Sequence, residues 1–166
     1  MTGVQTCALP ISSEMIKAGL LKEDHLEKFK FYGFIRDPYQ RALSAYFFER
    51  NVHGKDQGQL SDLVEWIDSI RVEDGPQLYL NKKYKHYFTY QGVQFATPLV
   101  HDKYENHMRT IIHYYDGHCP RVLPRFKSHY RPAWSKMPPE SWLPKTSLNK
   151  LNECLSEDIE FYNTYK

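Results

Sequence analysis

Cysteine is scarce in these 166 residues: there are three, at positions 7, 119 and 154. That number and spacing build neither a zinc site nor a disulfide framework, and leave room for one bridge at most. No His, Cys, Asp or Glu set has metal-ligand spacing either, so no metal is expected. Long apolar runs are also missing. None approaches the roughly 18 residues of a membrane span, so no membrane contact is expected of this stretch. Charge of one sign is lacking too, because 22 Lys and Arg face 20 Asp and Glu, for a net +2. That balance argues against bulk nucleic-acid electrostatics while permitting a local basic patch. There is no G-x-x-x-x-G-K-[ST] phosphate loop, no internal repeat and no low-complexity tract.

Aromatics, by contrast, are plentiful: 13 Tyr, 9 Phe and 3 Trp. Interleaved with basic residues they suit base stacking; they equally suit sugar clefts, where an aromatic face packs on a pyranose, or plain core and rim positions.

The informative segment is Phe31-Tyr32-Gly33-Phe34-Ile35-Arg36-Asp37-Pro38-Tyr39-Gln40-Arg41-Ala42-Leu43-Ser44. Residues 31–35 form a short apolar run, as expected of a central parallel strand covered on both faces. Asp37 occupies an N-cap position and Pro38 the first helical one, where a missing N–H costs nothing. Tyr39, Ala42, Leu43 and Tyr46 recur at helical spacing as a buried stripe, and Asp37, Arg41 and Ser44 form a separate polar line. Arg36 therefore leaves the carboxyl end of a strand, where open α/β sheets place their ligands. A guanidinium there can clamp a phosphate through two charge-assisted hydrogen bonds. Ser44, roughly 10 Å along the helix at about 1.5 Å per residue, can add a third, which puts the anion beside the helix rather than on its tip. A capped helix with a surface Arg is the plainer alternative.

Elsewhere the spacing predicts a helix over 13–29, broken near Gly19, and a helix from Pro38 to about Arg50. A loop follows over 52–59, then a helix over 60–71 with Leu63, Trp66, Ile67 and Ile70 on one side. A second strand is expected over 94–100. The next helix, over 102–115, carries a stripe of Tyr104, Met108, Ile111, Ile112 and Tyr115. Asp102 and Glu105 have the D-x-x-E spacing of a capping box, and His101 and His107 read as surface or rim residues. Residues 116–146 hold six of the ten prolines and cannot be regular throughout. A last amphipathic helix over 147–162 turns Leu148, Leu151, Leu155, Ile159 and Tyr162 inward.

The string F-I-R-D-P-Y-Q-R-A-L-S-A-Y resembles the 3′-phosphate-binding motif of the sulfotransferases, above all the carbohydrate (family 2 type) branch. Pro76-Gln77-Leu78-Tyr79-Leu80 resembles that family's P-Q-x-y-l, Lys103-Tyr104-Glu105-Asn106 its k/r-y/f-E-n, and Glu157-Asp158-Ile159-Glu160-Phe161-Tyr162 the close of its last helix. In that order the likeness covers nearly all of residues 13–166. It implies an α/β, P-loop-like fold with a central parallel sheet flanked by helices. It also implies a donor, 3′-phosphoadenosine-5′-phosphosulfate, whose 3′-phosphate is held by Arg36 and Ser44. A carbohydrate or glycan hydroxyl is the implied acceptor, with no nucleic-acid partner and no metal.

Residues 1–11, M-T-G-V-Q-T-C-A-L-P-I, read as a common sequencing-adapter oligonucleotide translated from a GTG start, and are set aside from fold reasoning. The expectation is then a partial sulfotransferase domain over 12–166 that lacks the family's first strand and 5′-phosphosulfate loop, and is inactive alone. Where many relatives have H-x-x-P-Q, this chain has Glu73-Asp74-Gly75-Pro76-Gln77. Glu73 replaces the His and is a candidate for orienting the acceptor or moving its proton, or else a solvated loop carboxylate. Arg125-Phe126-Lys127-Ser128-His129-Tyr130-Arg131 resembles a late loop that folds over the donor in some glycan sulfotransferases, which makes Lys127, Ser128 and Arg131 further candidate ligands. Two other classes remain open: a non-catalytic glycan- or nucleotide-binding relative, and a single-strand nucleic-acid-binding domain.

Overall fold

The structure, a computed structural model, describes residues 16, 18–20, 22–52, 54, 58–70, 83–115, 117 and 132–166. It is mixed helix and sheet, with a small parallel sheet flanked by helices. The chain divides into two compact units. One takes residues up to 36, 82–119 and 160–166; the other takes 37–81 and 120–159.

In the first unit, α1 (Glu23–Lys28) leads into β1 (Phe31–Ile35). The helix expected over 13–29 is interrupted where expected: Ile16 is helical, residues 18–20 turn, and helix resumes at Glu23–Lys28. Gly19 accounts for the break: it takes φ +70°, a left-handed conformation that only glycine adopts cheaply, and its N–H closes a turn on the carbonyl of Ile16 at 3.0 Å. After β1 this unit continues with α4 (Tyr84–Phe88), β2 (Thr89–Tyr90), β3 (Val93–Gln94), β4 (Ala96–Val100) and α5 (Tyr104–Tyr114). It ends in the last residues of α6 (Lys145–Tyr165).

Strand β1 pairs in parallel with β4, in a register running from Phe31↔Ala96 to Ile35↔Val100. Side chains alternate across such a sheet. Phe31, Gly33 and Ile35 with Ala96 and Val100 therefore share one face, against Tyr84 and Phe88 of α4 and Phe161 and Tyr162 of α6. On the other face, Phe34 meets α5, its ring centroid 5.0 Å from that of Tyr104. Gly33 has a packing reason: a Cβ there would lie 2.8 Å from the Phe88 ring. Full burial is reached only at Ile35, and Phe31 to Phe34 are half-buried. Among the described residues this strand pairs with one five-residue neighbour only, which does not close it off as the apolar run suggested.

The strand expected over 94–100 is two strands. Gln94 belongs to the β2–β3 hairpin and pairs with Thr89, whereas Ala96 pairs with Phe31. Phe95 makes the turn between them: its N–H donates to the carbonyl of Phe88 at 3.0 Å and its ring packs edge-on to Phe31 at 5.6 Å.

The capping box does not form. His101–Lys103 is a 3-10 turn, so the cap of α5 shifts to Lys103, which makes no side-chain cap bond, and Asp102 sits one residue early. The α5 stripe is correspondingly shallow. None of its residues is fully buried, and Tyr115 is 57% exposed. Two strands about 4.8 Å apart offer a narrow floor for an 11-residue helix.

The second unit holds α2 (Pro38–Val52), α3 (Leu60–Ser69) and most of α6. Helix α2 starts as its sequence dictates, with Asp37 Oδ1 accepting from the Gln40 N–H at 3.1 Å. Ala42, Leu43, Tyr46 and Phe47 form its buried face, packed with Leu63 and Ile67 of α3 and Leu151 and Leu155 of α6. In the proline-rich region, residues 133–136 and 139–141 are 3-10 turns, and Trp134 packs edge-on to Phe47 and Trp142. Cys154 is buried as a thiol.

Candidate functional site

Arg36 is the first residue beyond the β1–β4 ladder, so its backbone N–H and C=O need partners outside the sheet. One side chain supplies both. The Tyr84 hydroxyl accepts from the Arg36 N–H at 3.0 Å and donates to the Arg36 carbonyl at 2.6 Å. Tyr84 is itself 5% exposed, fixed in the core below the strand end. The main chain from which the guanidinium springs is therefore anchored at two points. The guanidinium is half-buried, and its Nη2 lies 3.2 Å from Nε2 of His101.

Parallel register explains that pairing. Ile35 faces Val100, so Arg36 and His101 are the next residues off the two strand ends. The imidazole stacks on Tyr104 with centroids 5.9 Å apart, and Phe34 meets its edge at 6.5 Å. His101 is thus a half-buried member of the strand-end cluster, in keeping with a rim position. His107 is half-buried as well, and its Nε2 is buried with no hydrogen-bond partner.

Asp37 and Ser44 belong to the second unit. Asp37 is the helix cap described above, and Ser44 is a half-buried residue of α2. Arg41, on the same polar line, is committed elsewhere. Its Nη1 donates to Asp158 Oδ2 at 2.6 Å, with the side chains 14% and 2% exposed, an ion pair inside the helical core. Tyr39 donates to Asn152 Oδ1. Burial pushes its phenol above the ordinary range, and the carboxylates of Glu140 and Asp37 add to that, so it stays a donor.

Of the residues expected at the site, the structure places Arg36 and Ser44. Glu73, Lys127, Ser128 and Arg131 lie outside the described residues, as do residues 76–80 and 1–11. No group of three or more His, Cys, Asp and Glu that could hold a metal occurs among the described residues. No described helix is long and apolar enough to cross a membrane. A cleft of about 180 Å³ in the first unit, lined by Tyr32, Leu99, His107, Ile111 and Tyr114 among others, falls short of the ~300 Å³ at which pockets begin to take drug-sized ligands. It is too small for a nucleotide.

No family model, curated protein or solved structure matches the chain.

Two participants escaped the sequence reading. Tyr84 carries no local signal, since its role depends on a contact 48 positions back. His101 had one: it follows an apolar strand directly, as Arg36 follows the other, and two strands in parallel register bring such residues side by side.

Proposed function

We propose that this chain is the donor-binding part of a sulfotransferase acting on a carbohydrate hydroxyl, with Arg36 and Ser44 as ligands of the 3′-phosphate of 3′-phosphoadenosine-5′-phosphosulfate. The observation that carries this reading is Arg36: a guanidinium at the carboxyl end of a parallel strand, its backbone anchored by Tyr84, immediately before a helix capped by Asp37. Strand-end arginines before capped helices are suited to anions, because the cation and the sheet geometry converge there. Lys127, Ser128 and Arg131 would add donors from their loop.

In the reaction, the acceptor oxygen attacks sulfur in line, a base takes the hydroxyl proton, and the bond from sulfur to the bridging oxygen breaks. 3′-Phosphoadenosine-5′-phosphate leaves with that electron pair. The protein's share is positioning and charge neutralisation. Arg36 and Ser44 serve the first by holding the far end of the donor. Glu73 is the candidate for the proton. Because the chain has no Gly-rich Lys loop, a relative that binds the nucleotide without turning it over is the second reading.

Calorimetry with 3′-phosphoadenosine-5′-phosphate and with its analogue lacking the 3′-phosphate tests the assignment. Each charge-assisted hydrogen bond is worth about 1.5–3 kcal/mol. Arg36→Ala should therefore weaken the first nucleotide about a hundredfold and leave the second nearly unchanged, while Ser44→Ala should cost around tenfold. An equal loss for both nucleotides would remove Arg36 from the 3′-phosphate.

A further inference from the structure

We infer that protonated His101 is a second anion donor beside Arg36, which couples oxyanion binding there to proton uptake, so that the site takes up an anion together with a proton. The inference rests on the reading of Arg36 as an anion ligand. It starts from the 3.2 Å approach of Arg36 Nη2 to His101 Nε2. A guanidinium has donors only and stays charged at every pH of interest. Nε2 must then be the acceptor, and His101 is neutral with its proton on Nδ1. In that state the imidazole occupies one of the N–H donors that an anion would use.

Protonation reverses the contact. Nε2 becomes a donor, the hydrogen bond is lost, and two cationic donors stand side by side at adjoining strand ends. A tetrahedral oxyanion can accept from both at once through two of its oxygens. Anion binding therefore favours protonated His101, and protonation favours the anion by the same factor.

The surroundings hold the ring in place for this. Phe34 of β1 and Tyr104 of α5 pack on it, and His107 also packs on Phe34, at 6.4 Å. Tyr84 of α4 fixes the Arg36 backbone, and Asp102 and Lys103, both exposed, follow in the chain.

Inorganic sulfate is the probe, because its charge does not change between pH 5.5 and 8. Its affinity for the whole chain should rise at least about tenfold over that fall in pH, the effect of one gained charge-assisted bond. His101→Gln keeps an acceptor for Arg36 and cannot take a proton. It should lose most of the rise between pH 8 and pH 5.5. Arg36→Gln should abolish binding at both pH values. A rise in His101→Gln equal to that of the wild type would assign the effect to other histidines and overturn the inference. So would sulfate binding that does not respond to pH, or no sulfate binding to the wild type at pH 5.5.

Imidazole ¹⁵N shifts of the unliganded wild type at pH 8 give a check that needs no variant and no ligand. They should show Nε2 as the unprotonated nitrogen of His101, and the opposite tautomer overturns the coupling. If sulfate binds as described while the 3′-phosphate makes no difference to nucleotide affinity, the sulfotransferase reading fails and the proton-coupled anion site stands.

Discussion

Arg36 and Arg41 lie five positions apart in one motif and do opposite things. Arg36 projects from a strand end with its main chain held by Tyr84. Arg41 is spent inside the second unit on Asp158, which is almost wholly buried. A buried pair gains little over apolar residues of similar size, but losing one partner strands the other charge, at about 3–5 kcal/mol. Arg41→Ala should therefore lower unfolding free energy by that amount, and Arg41→Met with Asp158→Leu should recover most of it. Urea denaturation of the three proteins measures both. Equal destabilisation by the single and double variants would mean that the pair is not what holds these helices together. Arg41 is consequently a reporter of stability.

Among the elements, the parallel pair β1–β4 depends on a close approach that glycine permits. Gly33 has no side chain because the Phe88 ring occupies that space, 2.8 Å from where a Cβ would stand. Phe88 is 4% exposed and has nowhere to retreat. Gly33→Ala should cost about 1–3 kcal/mol through overpacking. Phe88→Leu should make room for the new methyl, so that the double variant is less destabilised than the sum of the two by at least about 0.5 kcal/mol. Strict additivity in the urea cycle would show that the methyl is accommodated some other way.

The β2–β3 hairpin gives the converse case. Its two-residue loop has φ of 49° at Gln91 and 82° at Gly92. Positive φ at both loop positions is the geometry that Asn-Gly favours and that a Gln at the first position tolerates poorly. Gln91→Asn should stabilise the chain by about 0.5–1 kcal/mol, seen as a raised thermal midpoint. An unchanged midpoint would place the hairpin outside the cooperative core.

Over the whole molecule, what could be read in advance was what local physics decides. Asp37-Pro38 specified the start of α2, and the stripe of Tyr39, Ala42, Leu43 and Tyr46 specified its buried face, which Phe47 extends. Leu151, Leu155 and Tyr162 did the same for α6. What escaped depended on partners distant in sequence. Nothing near Phe95 announces that the chain leaves a hairpin there to join Phe31, and D-x-x-E at 102–105 predicts a cap that the strand-end turn displaces. Around Arg36, the strand-to-helix junction was legible from local sequence; Tyr84 enters through a contact 48 positions away, and His101 through the register of β1 against β4.

A whole-chain prediction follows from how the donor is divided between its two ends. In the proposed reading Arg36 and Ser44 hold the 3′-phosphate. Stabilising charge at sulfur requires donors aimed at the phosphosulfate oxygens, and no Gly-rich Lys loop is present to supply them. The chain should therefore bind 3′-phosphoadenosine-5′-phosphosulfate and 3′-phosphoadenosine-5′-phosphate with dissociation constants within about threefold, since neither differs at the end that is held. Adenosine-5′-phosphosulfate, which keeps the sulfate and lacks the 3′-phosphate, should bind about a hundredfold more weakly, the loss of a bidentate charge-assisted contact. Transfer of labelled sulfate to a carbohydrate should stay at the uncatalysed rate. Competition calorimetry with the three nucleotides, run beside the transfer assay, measures all of this on one preparation. A preference of more than tenfold for the sulfated donor, or measurable transfer, would show that this chain grips the phosphosulfate itself.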